Sequence, residues 1–312
     1  MIRDVQRADT PTLFDLMTRQ FPEESRLLGG RPEEFEKVVR RALRWDTRFV
    51  VGLLGLFGHP VFRVLVVEAD EKVAGMVMIG FGRTSSFLGT LVVDPAYRRR
   101  GFAKGLLEES RRVTERVRRK YLVLGVLDTN TGARALYDSV GYRPLQRQDQ
   151  FVCESPDRVS PVPPRVPGVR PFRRGDARAL VEVARRQAPP AVEEVMPTTK
   201  REFLGSGLAN RVMAVEEAAW VLDRGHGAEA WVSANVSRAF EAGHMSNPVV
   251  AESVDAPLVE SLVRTAVAWC AARKVPRILT MVPDNNPRGR AALEAVGFQH
   301  AYATETLYRP VT

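Results

Sequence analysis

Residues 98–104, Arg-Arg-Arg-Gly-Phe-Ala-Lys, crowd four cations and a glycine where an apolar strand gives way to an amphipathic helix. The strand, Leu88–Val93, runs into Asp94-Pro95, and a proline, having no amide donor, ends ladder pairing there. After the loop, Phe102, Leu106, Leu107 and Val113 recur on one helical face, with Glu, Arg and Lys on the other. The first amides of a helix have no partner within it, and the helix dipole adds partial positive charge. Arg98, Arg99, Arg100, Gly101, Phe102, Ala103 and Lys104 therefore make a seat for a phosphate or pyrophosphate. Tyr137 is suited to proton chemistry. A phenol with an ordinary pKa of about 10 stays protonated at neutral pH and can hand its proton to a departing anion. It lies two helical turns after Asn130, on the same face, and Asn130 is a natural helix N-cap.

The elements that must position these groups follow in order. A strand is expected over Tyr121–Leu127 and a helix from Asn130 to Val140, closed by Gly141-Tyr142. The pattern Arg98-x-x-Gly101-x-Ala103 resembles the Q/R-x-x-G-x-G/A loop of the GCN5-related N-acetyltransferases (GNAT). Asn130-x-x-Ala133-x-x-x-Tyr137-x-x-x-Gly141-Tyr142 resembles the same family's following motif.

The resemblance implies a mixed α/β fold, a twisted sheet flanked by helices, with a bulged strand that splays from its neighbour. It implies acetyl-CoA as acyl donor, its pyrophosphate on the amides of residues 99–104. The backbone of Leu91, Val92 and Val93 would hold the pantetheine arm, and Asn130 would add a contact to the coenzyme. Tyr137 would protonate the leaving thiolate after direct attack by a primary amine. Family members often carry a glutamate base on the strand before the loop. Here neither Phe87–Val93 nor Val73–Phe81 contains an acid. His59, before Pro60, can titrate near neutrality and can equally be structural.

The plan is written twice. Ile2–Asp9 is echoed by Val169–Asp176, each a short strand with Asp9 or Asp176 as an expected helix N-cap. Ala133–Tyr142 is echoed by Gly289–Phe298, and Asn130 by Asn286, each 156 positions later. Between the copies, Ser155–Gly168 is rich in proline and reads as a semi-rigid linker without regular helix. The expected division is a catalytic domain over 1–154, a linker over 155–168 and a degenerate GNAT-like domain over 169–312. In that second copy Arg98, Arg100, Gly101 and Ala103 become Val254, Ala256, Pro257 and Val259, with Asp255 among them, and Tyr137 becomes Leu293. An acid repels phosphate, a proline lacks an amide and a leucine donates no proton.

A chain of 312 residues, 45% hydrophobic, is long enough for two cores. Of its 46 basic residues only six are lysine, a bias that reads as gene composition; the net charge of +9 also suits polyanionic substrates. Arg111, Arg112, Arg116, Arg118 and Arg119 alternate with Glu108, Glu109 and Glu115 as on a solvated helix face, so no specific nucleic-acid partner is expected. Cys153 and Cys270 make no metal or disulfide framework and point to a reducing compartment. Met1–Val5 shows no apolar leader, and the run Phe49–Phe62 is broken by glycines, His59 and Pro60 and is too short to span a bilayer. A cytoplasmic, metal-free enzyme is expected, acting on a small-molecule or peptide amine. Glu23-Glu24 and Glu33-Glu34 would suit a cationic acceptor, and Phe49–Phe57 a hydrophobic one or a domain contact. A longer acyl group, transfer to oxygen, or a non-catalytic acyl-CoA sensor are the alternatives. The oligomeric state is not written in the sequence.

Overall fold

The computed structural model describes residues 1–20, 62–160, 166–205, 215–237 and 242–311. The first repeat comprises β1 (Ile2–Asp4), α1 (Thr10–Gln20), β2 (Phe62–Ala69), β3 (Lys72–Phe81), β4 (Ser85–Val93), α2 (Phe102–Arg116), β5 (Tyr121–Leu127), α3 (Thr131–Ser139) and β6 (Arg143–Glu154). A short helix α4 (Pro156–Val159) follows. The second repeat comprises β7 (Val169–Pro171), α5 (Ala177–Gln187), α6 (Pro190–Val195), α7 (Lys200–Leu204), β8 (Val215–Asp223), β9 (Ala228–Ser237), β10 (Ala242–Met245) and β11 (Val249–Val250). It closes with α8 (Ala256–Ala271), β12 (Arg277–Pro283), α9 (Pro287–Val296) and β13 (Gln299–Pro310).

The chain forms two compact units, but not at the expected boundary. One runs to Leu145 and takes back the chain from Glu305; the other holds Gln146–Thr304. The sheet order in the first is β1-β2-β3-β4-β5-β13, and in the second β7-β8-β9-β10-β12-β6. The two orders match strand for strand, except that the closing strands are exchanged. Side chains record the exchange. Arg134 of α3 pairs with Glu305 of β13 at 2.6 Å, while Arg290 of α9 pairs with Asp149 of β6. Likewise Val311 N–H donates to the Lys120 carbonyl (2.9 Å), and Ser155 N–H to that of Pro276 (3.0 Å). Each member lies 156 positions from its counterpart. The linear division at 154 and 169 therefore does not describe the packed units. β6 and β13 are both 12-residue strands that follow a Gly-aromatic helix end, so local sequence does not say which sheet each will join.

The linker expectation also needs correction. Pro156 sits in the first turn of α4, where its missing amide costs nothing, and the segment makes one helical turn. Residues 161–165 lie outside the described residues. Asp176 holds the N-cap position of α5 as expected, but neither its carboxylate nor that of Asp9 caps the helix that follows. Asp9 closes a 3-10 turn over Arg7–Asp9, accepting from Gln6 N–H at 2.6 Å and from both Arg3 terminal nitrogens at 2.7 and 2.9 Å. Asp176 repeats this with Arg173 N–H (2.7 Å) and Arg170 (2.8 Å), while Glu68 and Asp223 supply the second carboxylate of each clamp. The cores are separate: Leu65, Ile79, Leu106, Leu122 and Leu307 pack in the first unit, and Phe151, Leu262 and Ile278 in the second.

Candidate active site

The basic loop is built as the strand–turn–helix order demands. β4 ends at Val93, and the Asp94 carboxylate accepts from Ala96 N–H at 2.9 Å, tightening a 3-10 turn over Pro95–Tyr97. Arg98 Nε donates to the Val93 carbonyl at 3.2 Å, folding the loop back on its strand. Arg99 and Gly101 take left-handed backbone, φ +61° and +80°. Gly101 is the N-cap of α2, and the first amide to return into the helix is that of Gly105, onto the Gly101 carbonyl at 2.9 Å. The amides before Gly105 are thus the unpaired donors of a helix start. A Cβ on Gly101 would meet nothing within 4 Å, so the space before them is open. Arg98, Arg99, Arg100, Gly101 and Lys104 are exposed, while Phe102 and Ala103 are half-buried and anchor the helix, Phe102 against Tyr97. Arg100 spreads over the Tyr97 ring, 5.2 Å from its centroid.

The strand before the loop leaves its neighbour. β4 pairs with β5 in parallel only over Ser85–Leu88. The register against β3 then shifts, Val77 facing Leu91 but Ile79 facing Leu88, which puts one extra residue into β4. Leu91, Val92 and Val93 lie beyond this bulge, paired to β3 alone, with Val92 buried and the other two half-buried. Across the gap sits Gly125 of β5, where a Cβ would again meet nothing within 4 Å. The result is a wedge between two strands, lined by backbone and leading to the helix start.

Tyr137 and Asn130 lie on α3, after β5. Asn130 caps the helix, its side-chain oxygen accepting from Ala133 N–H at 3.1 Å, and the residue is exposed. Tyr137 is 8% exposed and its ring packs on Tyr142, centroids 5.7 Å apart. Among the described residues its hydroxyl has no hydrogen-bond partner. Burial pushes its pKa above the ordinary tyrosine value, so the proton is retained throughout the neutral range. Tyr142, more deeply buried, is pushed further the same way, with Arg309 opposing. The sequence gives no sign of this support, because Arg309 arrives on the exchanged strand β13.

The equivalent places in the second unit are built differently. α8 starts from Asp255 in extended backbone (φ −73°), with Pro257 in its first turn and no glycine. Val254 is buried where Arg98 is an exposed cation, and Val259 is buried where Ala103 is half-buried. Gly125 is replaced by Met281, and Leu293 is fully buried where Tyr137 stands. Asn286 caps α9 through Gly289 N–H (2.9 Å), but its amide nitrogen also reaches Asn247 Oδ1 (2.8 Å) and the Pro248 carbonyl (2.7 Å). It can do so because Gly289 lacks the Cβ that Ala133 carries; that atom would lie 2.5 Å from Asn286 Nδ2. The link between β10 and β11 is thereby tied to the start of α9.

Burial pushes the thiols of Cys153 and Cys270 up to about 11 and about 12, leaving both unreactive. Arg111, Arg112 and Arg116 pair with Glu108, Glu109 and Glu115 along α2. No group of three or more metal-ligating side chains occurs among the described residues, and none of their helices is long and apolar enough to cross a membrane. His59, the acidic pairs at 23–24 and 33–34 and the apolar run at 49–57 lie outside the described residues.

Residues 11–142 match the model of the acetyltransferase (GNAT) family. A search among curated protein sequences finds no match. The fold is similar to a tandem GNAT protein from the clavulanic acid biosynthesis pathway: TM-score 0.66, 15% identity, covering 100% of this chain and 98% of that one. It is also similar to a GCN5-related N-acetyltransferase from Sphaerobacter thermophilus: TM-score 0.68, 16% identity, covering 100% and 95%. A third similar structure is a putative acetyltransferase from Pyrococcus horikoshii: TM-score 0.58, 15% identity, covering 99% and 89%.

Proposed function

We propose that the first unit, whose residues 11–142 match the acetyltransferase (GNAT) family, transfers acetyl from acetyl-CoA to a primary amine by direct attack. One observation carries the proposal: an open wedge, a helix start with unpaired amides and an uncommitted phenol occur together in that unit. The amides of residues 99–104, with Arg99, Arg100 and Lys104 around them, would hold the pyrophosphate. The free edge of β4 at Leu91, Val92 and Val93 would pair with the pantetheine arm as an added strand does. Asn130 would contribute a polar contact besides its cap.

Bound acetyl-CoA supplies the activated thioester. As the amine nitrogen bonds to the carbonyl carbon and the carbon–sulfur bond breaks, Tyr137 gives its proton to the sulfur and is reprotonated from water. An ordinary phenol is already a weaker acid than a thiol of about 8.5, by roughly 2 kcal/mol, and burial raises Tyr137 further, so the transfer must accompany bond breaking rather than precede it. The amine proton leaves to water, since β3 and β4 carry no carboxylate. That same lack favours one second reading, a non-catalytic acyl-CoA sensor. Incubating the full chain with acetyl-CoA and a broad amine panel, and measuring free thiol, separates them. Acceptor-dependent thiol release is expected; coenzyme binding without release for any amine would favour the sensor. The second unit, with an acidic N-cap and Leu293 in place of the phenol, is proposed to be inactive, so calorimetry should count one coenzyme per chain.

A further inference from the structure

The second unit contains a cavity of about 350 Å³, within the range of small-molecule sites. It opens between the β10–β11 link and the end of β12, the position that the wedge takes in the first unit. Gln146, Gln187, Glu202, Phe203, Trp231 and Asn285 are among its walls. Phe203 and Trp231 meet edge to face, centroids 5.0 Å apart, and form an apolar wall.

The polar walls are uneven. Gln146 Nε2 donates to Asn285 Oδ1 (2.7 Å), Asn285 Nδ2 to the Gln187 carbonyl (2.6 Å), and Gln187 Nε2 to the Val250 carbonyl. The amide nitrogens are thus engaged with the protein, whereas the side-chain carbonyls of Gln146 and Gln187 have no partner among the described residues. Glu202 spends Oε1 on Thr199 N–H (2.7 Å) and keeps Oε2. Among the described residues no cation lines the cavity, and Arg185 beside it is occupied by Glu193 (3.0 Å) and the Thr198 carbonyl (3.1 Å). What remains is one carboxylate and the side-chain carbonyls of Gln146 and Gln187, with the Asn247 amide and the Thr198 and Ser246 hydroxyls as neutral groups, next to an aromatic wall.

We propose that the second unit is a binding module whose cavity takes a small protonated amine with an apolar body, and that it does not take a coenzyme or any other anion. This site needs neither acetyl-CoA nor Tyr137.

Calorimetry on the full chain tests it, with tyramine and tryptamine as probes and the matched carboxylates 4-hydroxyphenylpropionate and indole-3-propionate as controls. At least one amine is expected to bind one per chain and the carboxylates not. Glu202→Gln should weaken that amine at least about tenfold, the effect of losing a charge-assisted contact of roughly 1.4 kcal/mol or more. Ala188→Leu, which narrows the cavity at a half-buried wall position, should do the same if Glu202→Gln fails to fold. Gly101→Glu, in the other unit, should leave amine binding unchanged, so failure of the acetyl-transfer reading would not touch this result. Absence of amine binding at millimolar concentration, carboxylates binding as well as amines, or full amine affinity in either cavity variant would overturn the proposal.

Discussion

Gly101 is the position where one added side chain tests the coenzyme site with least disturbance. Its φ of +80° makes any other residue strained, by about 1–2 kcal/mol. Its surroundings are open, so a Cβ meets nothing within 4 Å and the fold should survive. Gly101→Ala isolates the backbone term. Gly101→Glu adds a carboxylate within about 5 Å of a phosphate seated on the helix amides; at an effective dielectric of about 20 that repulsion is roughly 3 kcal/mol. The glutamate variant should therefore bind CoA at least about 10²-fold more weakly than the alanine variant. Calorimetry with CoA on the three full-length proteins, each checked by thermal melting, gives the comparison. A glutamate variant within about threefold of the alanine variant would refute the placement of the pyrophosphate.

Leu307→Ala, which empties a core site only 2% exposed, should cost about 2–5 kcal/mol and speed hydrogen exchange in β5 and α3, far away in sequence; exchange changing only in the second unit would contradict the strand exchange. Asp9→Asn should cost about 1–3 kcal/mol at pH 7 by opening the Arg3 clamp. Because Arg3 holds the Asp9 carboxyl below its ordinary range, that stability is present above an ordinary aspartate pKa and is lost as pH falls through the depressed folded value. Urea melts from pH 7 to pH 3 should accordingly converge for variant and wild type, and a constant gap would refute the assignment. Burial raises the Tyr137 pKa, so kcat should show no basic decline below pH about 10; a fall between about pH 8 and 9.5 would point to another acid.

Much of the site was legible because its parts are local. The strand Tyr121–Leu127 and the helix running from Asn130 to Val140 appear as expected, with Asn130 and Val140 as the flanking caps. The loop cations and Gly101 sit at a helix start, since strand, Asp-Pro and glycine each fix backbone by themselves. What escaped was non-local. Asp9 looked like a cap because Asp before a helix usually is one, yet Arg3 and the Gln6 amide claim its carboxylate. Arg309 and Leu307 support the first unit from the end of the chain, and no spacing rule connects residue 309 to residue 142. The tie from Asn286 to Asn247 and Pro248 depends on Gly289 being a glycine, which reads in sequence as an ordinary helical change from Ala133.

The central claim is that the first unit turns over acetyl-CoA with Tyr137 as the acid. Its most direct measurement is kcat for Tyr137→Phe, at saturating acetyl-CoA and with the best acceptor the amine panel yields. The change removes one oxygen and keeps the ring against Tyr142. A fall of roughly 10²- to 10⁴-fold in kcat, with CoA affinity unchanged, is predicted. Wild-type kcat in that variant would contradict it.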